Sequence, residues 1–115
     1  MEIRSERVGD IAVVAVLCKT LDAGNHDRFK SALMPIVAQT PGVVLDVSQL
    51  DFVDSSGLGA ILTCLRKARS GGGNLKLLCG SSRPVRMFFE LVRIHGVIDV
   101  YETREEALES FVSRV

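Results

Sequence analysis

The stretch from residue 43 to residue 69, VVLDVSQLDFVDSSGLGAILTCLRKAR, decides the fold. Val43, Val44, Leu45 and Val47 make a short, β-branched apolar run, which predicts a buried strand over residues 43–47. An acidic turn follows. Leu58, Ile61, Leu62 and Leu65 then recur at the i, i+3, i+4, i+7 spacing of a core-facing helical stripe. Ser55 and Ser56 fall at the join, where the first N–H groups of a helix lack intrahelical partners. Arg66, Lys67 and Arg69 suit the negative end of that helix, and Gly71-Gly72-Gly73 supplies a left-handed stop.

On the N-terminal side, residues 3–8 predict an edge strand, Val8-Gly9-Asp10 a turn, and the valine-rich run 11–18 a central strand. Residues 20–25 form a polar loop in which Asp22 or Asn25 is the candidate cap of a helix carrying Phe29, Leu33, Ile36 and Val37. Pro35 removes a backbone donor inside that pattern, so the helix is expected to kink or restart there. On the C-terminal side, residues 75–79 predict a strand. Gly80 to Pro84 open a helix with the stripe Val85, Phe88, Phe89 and Val92. Residues 97–101 predict a last strand, and Thr103 with Glu106 a capping box that starts a helix bearing Ala107, Leu108, Phe111 and Val112. Alternation of this kind implies an α/β domain: a small, mostly parallel sheet of four to five strands flanked by about four helices. Functional groups gather beyond the C-terminal ends of such strands, here in loops 19–25, 48–56 and 80–84.

With 115 residues, 47% of them hydrophobic, the chain suits one domain over residues 1–115. Its 14 basic residues balance its 14 acidic ones, so no global field recruits nucleic acid or an anionic membrane. The N-terminus lacks the basic-then-apolar order of a secretory signal, and no apolar run approaches the roughly 20 residues of a membrane span, which leads us to expect a soluble cytoplasmic protein. Cys18, Cys64 and Cys79 have no ligand spacing and read as reduced core residues. His26 and His95 are placed by no motif. We expect no metal, no cofactor and no enzyme: a nucleophilic serine needs a base and an orienting acid, and Gly71–Gly73 lacks the lysine of a phosphate loop.

The central helix carries a second face, Ser56, Gly59, Ala60, Thr63 and Lys67, whose early positions are small. Gly57 and Gly59 each cost about 1 kcal/mol against alanine inside a helix, which calls for a packing or contact reason. A docking surface is one such reason. A phosphate on a first-turn hydroxyl would face free N–H groups and the positive end of the helix dipole, while adding about −1.5 to −2 charge to that surface beside Asp51 and Asp54. Alternatively, Asp54, Ser55 or Ser56 serves simply as the N-cap.

Val44-Leu45-Asp46-Val47-Ser48 followed by Phe52-Val53-Asp54-Ser55-Ser56-Gly57-Leu58-Gly59 resembles the hallmark of the STAS domain of bacterial anti-sigma-factor antagonists, or anti-anti-sigma factors. The likeness extends to Leu21-Asp22-Ala23, to Gly72-Gly73-Asn74-Leu75-Lys76-Leu77, and to residues 97–100 with Glu105-Glu106-Ala107-Leu108. It implies a switch: the unphosphorylated antagonist binds an anti-sigma factor that is also a serine kinase with a GHKL-type ATP site, and so frees a sigma factor. ATP would belong to the kinase. The resemblance makes Ser56 the phosphoacceptor, lets Asp54 and Ser55 shape its loop, starts the docking helix at Gly57, Leu58 and Gly59, and puts Asp22, Ala23 and Gly24 on the same surface as Ala60 and Thr63. A PP2C-type phosphatase would reset it. Gly24-Asn25-His26 and Pro35 depart from the family pattern. The alternative is a STAS interaction module of a lipid-transport, transporter or stress-signalling complex without phospho-switching.

Overall fold

The computed structural model describes residues 1–112. Strands β1 (Ile3–Val8) and β2 (Ile11–Val16) form an antiparallel hairpin, and Gly9 takes φ +61° at its turn. A two-residue strand β3 (Thr20–Leu21) precedes α1 (His26–Gln39), and β4 (Gly42–Asp46) follows it. Next come β5 (Phe52–Val53), α2 (Ser55–Ser70), β6 (Asn74–Leu78), α3 (Arg83–Leu91), a 3-10 turn at Ile94–Gly96, β7 (Val100–Tyr101) and α4 (Arg104–Glu109). The main sheet has the order β1-β2-β4-β6-β7, parallel throughout except at β1, which agrees with the predicted α/β sheet.

The two faces of this sheet are covered unequally. On one, Val14, Val43, Leu45, Leu75 and Leu77 pack against Phe29 and Leu33 of α1, Ile61 and Leu65 of α2, and Val85 and Phe89 of α3. On the other, among the described residues, Val13, Val44 and Leu78 pack with Ala107 of the short α4, with Val8, Ile11, Tyr101, Leu108 and Phe111 at the margin. Lys76 is 7% exposed on this second face. Its ammonium donates to the Ser110 carbonyl at 3.0 Å and hydroxyl at 2.9 Å, 4.4 Å from the centre of the Phe111 ring.

Four expectations need correction. The helix α1 runs through Pro35 without restarting; the proline ring lies on the exposed face, and burial of Phe29, Leu33 and Val37 on the opposite face carries the helix past the missing donor. The last strand shrinks to Val100–Tyr101, because Ile94–Gly96 coils and leaves Val97 exposed. Helix α4 ends at Glu109, and Val112 is exposed, as is Val92 at the end of α3. Finally, the buried stripe of α2 is Gly57, Ala60, Ile61, Cys64, Leu65 and Ala68, with Leu58 and Leu62 only partly covered. Small residues face inward because α2 lies close against both α1 and the sheet.

Candidate functional site

Loops 19–25 and 48–56 meet outside the main sheet. Strands β3 and β5 pair in parallel, Thr20 with Phe52 and Leu21 with Val53, where the sequence suggested only loop. The Lys19 carbonyl accepts from Asp51 N–H at 2.7 Å, and the Leu21 carbonyl from Asp54 N–H at 3.2 Å. Two loops some thirty residues apart in the chain thus form one unit. Ser82 Oγ donates to the Leu50 carbonyl at 3.1 Å and joins the third loop to the edge of this unit.

Asp54 caps α2. Its Oδ1 accepts from Gly57 N–H at 2.9 Å, and its Oδ2 reaches across to Ala23 N–H at 3.1 Å. Hydrogen bonds from Gly57 above all, then from Ala23 and Ser56, with His26 nearby, hold its carboxyl below the ordinary 3.8, although partial burial opposes them. The cap being Asp54, neither serine is needed for it. Ser55 is exposed and Ser56 half-buried, and among the described residues neither hydroxyl has a hydrogen-bond partner. Ser56 occupies the second helical position, at the positive end of the α2 dipole.

The other loop is shaped by its own polar side chains. Asp22 Oδ1 accepts from Gly24 N–H at 2.9 Å, and the Asp22 carbonyl accepts from His26 N–H at 2.9 Å. Asn25, at the N-cap position, makes no side-chain cap; its Oδ1 accepts from Asp22 N–H and its Nδ2 donates to the Thr20 carbonyl at 2.8 Å. Ala23 and Gly24 are left exposed.

The two helical glycines have different reasons. A Cβ on Gly57 would stand 2.2 Å from the Leu21 carbonyl oxygen, so its smallness is spent inside the fold. A Cβ on Gly59 would meet nothing within 4 Å. Thr63 half-buries beside it and returns its hydroxyl to the Gly59 carbonyl at 2.9 Å. Ala60, placed on the outer face by sequence spacing, is 2% exposed and belongs to the core.

The sequence reading missed the Leu21 carbonyl and Phe52, which is 53% exposed two residues before the cap, and it gave the Asn25 side chain a capping role where it instead ties Asp22 to Thr20. Only Phe52 left a signal, since in Phe52-Val53 strand alternation turns one of the two residues outward. Cys64 and Cys79 are buried, Cys18 is half-buried, and all three are free. No helix among the described residues is long and apolar enough to cross a membrane.

A bridged pair of loops thus stands at the start of α2, with two serines on it whose hydroxyls have no partner among the described residues. The STAS domain family model matches residues 2–107, and the chain belongs to that family. It is 29% identical to BtrV of Bordetella bronchiseptica over 103 residues, 89% of this chain and 88% of the relative. It is 24% identical to the anti-sigma-B factor antagonist of Bacillus subtilis, over 77% of this chain and 81% of that one. Among solved structures, the fold matches the anti-sigma factor antagonist SpoIIAA in its unphosphorylated form with a TM-score of 0.68 and 22% identity, covering 95% of this chain and 96% of that one. SpoIIAA in its phosphorylated form matches with the same TM-score at 21% identity, covering 96% of this chain and all of that one.

Proposed function

We propose that this protein is an anti-sigma-factor antagonist switched by phosphorylation of Ser56. Its unphosphorylated form binds an anti-sigma factor with GHKL-type serine kinase activity and so releases a sigma factor; phosphate on Ser56 ends the complex, and a PP2C-type phosphatase restores it. The observation that carries this reading is the division of labour at the start of α2: Asp54 takes the cap, and the hydroxyls of Ser55 and of Ser56, the serine directly before Gly57, are left without a partner among the described residues. The names of its relatives and the existence of a phosphorylated relative support the same reading.

The chemistry is favourable for a switch of this kind. A phosphate at the second helical position stands near unpaired N–H groups and the dipole's positive end, so the helix accepts it. A partner seated over Ala23, Gly24, Ser55, Leu58, Gly59 and Thr63 meets a dianion instead of a hydroxyl, beside the fixed carboxylate of Asp54. The protein is the substrate and the contact surface, and catalysis belongs to its partners.

Intact-mass measurement after incubation with the cognate kinase and ATP tests this. One added phosphate is expected on the wild type and none on Ser56→Ala; no phosphate on the wild type, or equal phosphate on both, would sink the proposal. Ser56→Asp should keep the wild-type circular dichroism spectrum yet bind the kinase more weakly.

A further inference from the structure

We infer that the outer edge of β1 pairs with β1 of a second copy of this chain, antiparallel about a two-fold axis at Ser5, to give one continuous sheet. Strand β1 ends the sheet, and Arg4, Ser5, Glu6 and Arg7 are all exposed. Leu17 N–H donates to the Glu2 carbonyl at 3.0 Å, within the register that pairs Ile3 with Val16 and Val8 with Ile11. In an antiparallel ladder hydrogen-bonded pairs alternate, so Glu2, Arg4, Glu6 and Val8 turn their backbone groups toward β2. Ile3, Ser5 and Arg7 therefore turn theirs outward.

Those three outward residues restrict self-pairing to a few registers. Centring the axis on Ser5 bonds Ser5 to Ser5 and Ile3 to Arg7, and it sets Arg4 opposite Glu6 twice. The neighbouring register centred on Arg4 opposes arginine to arginine and Glu2 to Glu6, and the one centred on Glu6 opposes glutamate to glutamate. Opposite charges directly across a strand pair stabilise it and like charges destabilise it, which disfavours the Arg4- and Glu6-centred registers. A register centred on Ile3 also sets Glu2 opposite Arg4, but it rests on residues 1 and 2 outside the strand, whereas the Ser5 register pairs residues 3–7 within it. Glu6 is also held in place: Arg104 Nη1 and Nη2 donate to its two oxygens at 3.0 Å each, which leaves the carboxylate fixed for a second arginine from the other copy. Charged side chains on a sheet edge ordinarily resist such pairing; here the charges of Arg4 and Glu6 are self-complementary in the Ser5 register.

Sedimentation velocity on the full chain up to sub-millimolar concentration, with oxidative cross-linking, tests the inference. A concentration-dependent dimer is expected. Ser5→Cys should cross-link, because the two Cα atoms of such a pair lie about 5.5 Å apart. Arg7→Cys should not, since its copies are four residues out of register, roughly 13 Å. Arg4→Glu should weaken the dimer about tenfold, and adding Glu6→Arg should restore it. Ser5→Pro should keep the wild-type spectrum and melting point, because its N–H points away from β2, and should abolish the dimer. A wild type that stays monomeric throughout, a dimer that survives both Ser5→Pro and Arg4→Glu, or equal cross-linking at residues 5 and 7 would overturn it.

Discussion

The Asp54 carboxylate bonds Ala23, thirty-one residues earlier in the chain, at 3.1 Å while its other oxygen caps α2 through Gly57. One side chain therefore starts the helix and fixes the neighbouring loop. Asp54→Ala should lower the urea midpoint, as the loss of a helix cap does, and should speed hydrogen exchange of the Ala23 amide. Slower or unchanged exchange at Ala23 would show that the bridge does not hold that loop.

The same carboxylate gives a pH signature. Its folded pKa lies below the ordinary 3.8, so its stabilisation is complete above the unfolded value and is lost as pH falls through the folded one. The stability gap between the wild type and Asp54→Asn should stay constant from neutral pH down to about 5 and close below about 4. Parallel curves through that window would assign the acid sensitivity elsewhere.

The glycines of α2 should separate stability from binding. Gly57→Ala drives a Cβ into the Leu21 carbonyl and should destabilise by about 1–3 kcal/mol. Gly59→Ala enters open space and should stabilise by up to about 1 kcal/mol, while weakening capture by the proposed anti-sigma partner. Equal losses of stability at both positions would contradict the packing described for Gly57.

Lys76 is expected to hold α4. Lys76→Met removes both bonds to Ser110 and leaves a half-buried carbonyl without its donor, a loss of about 1–3 kcal/mol. Exchange should rise first among the α4 amides, with those of β4 and β6 slower to respond. A melt indistinguishable from wild type would mean that Phe111 and Ala107 anchor α4 by themselves.

Thiol chemistry should sort the cysteines. Burial pushes Cys64 up to about 11 and Cys79 upward as well, so both stay protonated at mildly alkaline pH. A disulfide reagent added to the native protein should modify Cys18 first, with Cys64 and Cys79 following only at the rate of unfolding.

Most of the main sheet was legible because period and punctuation agree there: the valine runs of β2 and β4, the glycines after α2, and the Thr103–Glu106 box each point one way. The features read wrongly are those settled by tertiary contact. Nothing local in Thr20-Leu21 or Phe52-Val53 says that they pair, since two-residue strands exist only through each other. Spacing alone put Ala60 outside and Leu58 inside, because helical periodicity gives the width of a buried stripe but not the angle at which α1 and the sheet receive it. Pro35 was overestimated for a related reason: the exposed side of a helix tolerates a missing donor when the opposite side is anchored. At the site, the residue types were visible and their wiring was not, for Ala23 and Leu21 act through backbone atoms that carry no side-chain signal.

The ladder between β3 and β5 makes the proposed recognition surface a discontinuous epitope. Its halves lie on either side of α1 and β4, so it exists only once the intervening chain has folded. A synthetic peptide of residues 50–65 contains every atom of the serine loop and none of its brace, and it should fail both as a kinase substrate and as a competitor. On the proposed reading, recognition of the folded state is thereby built in: a nascent or damaged chain presents the same serine but offers nothing to hold.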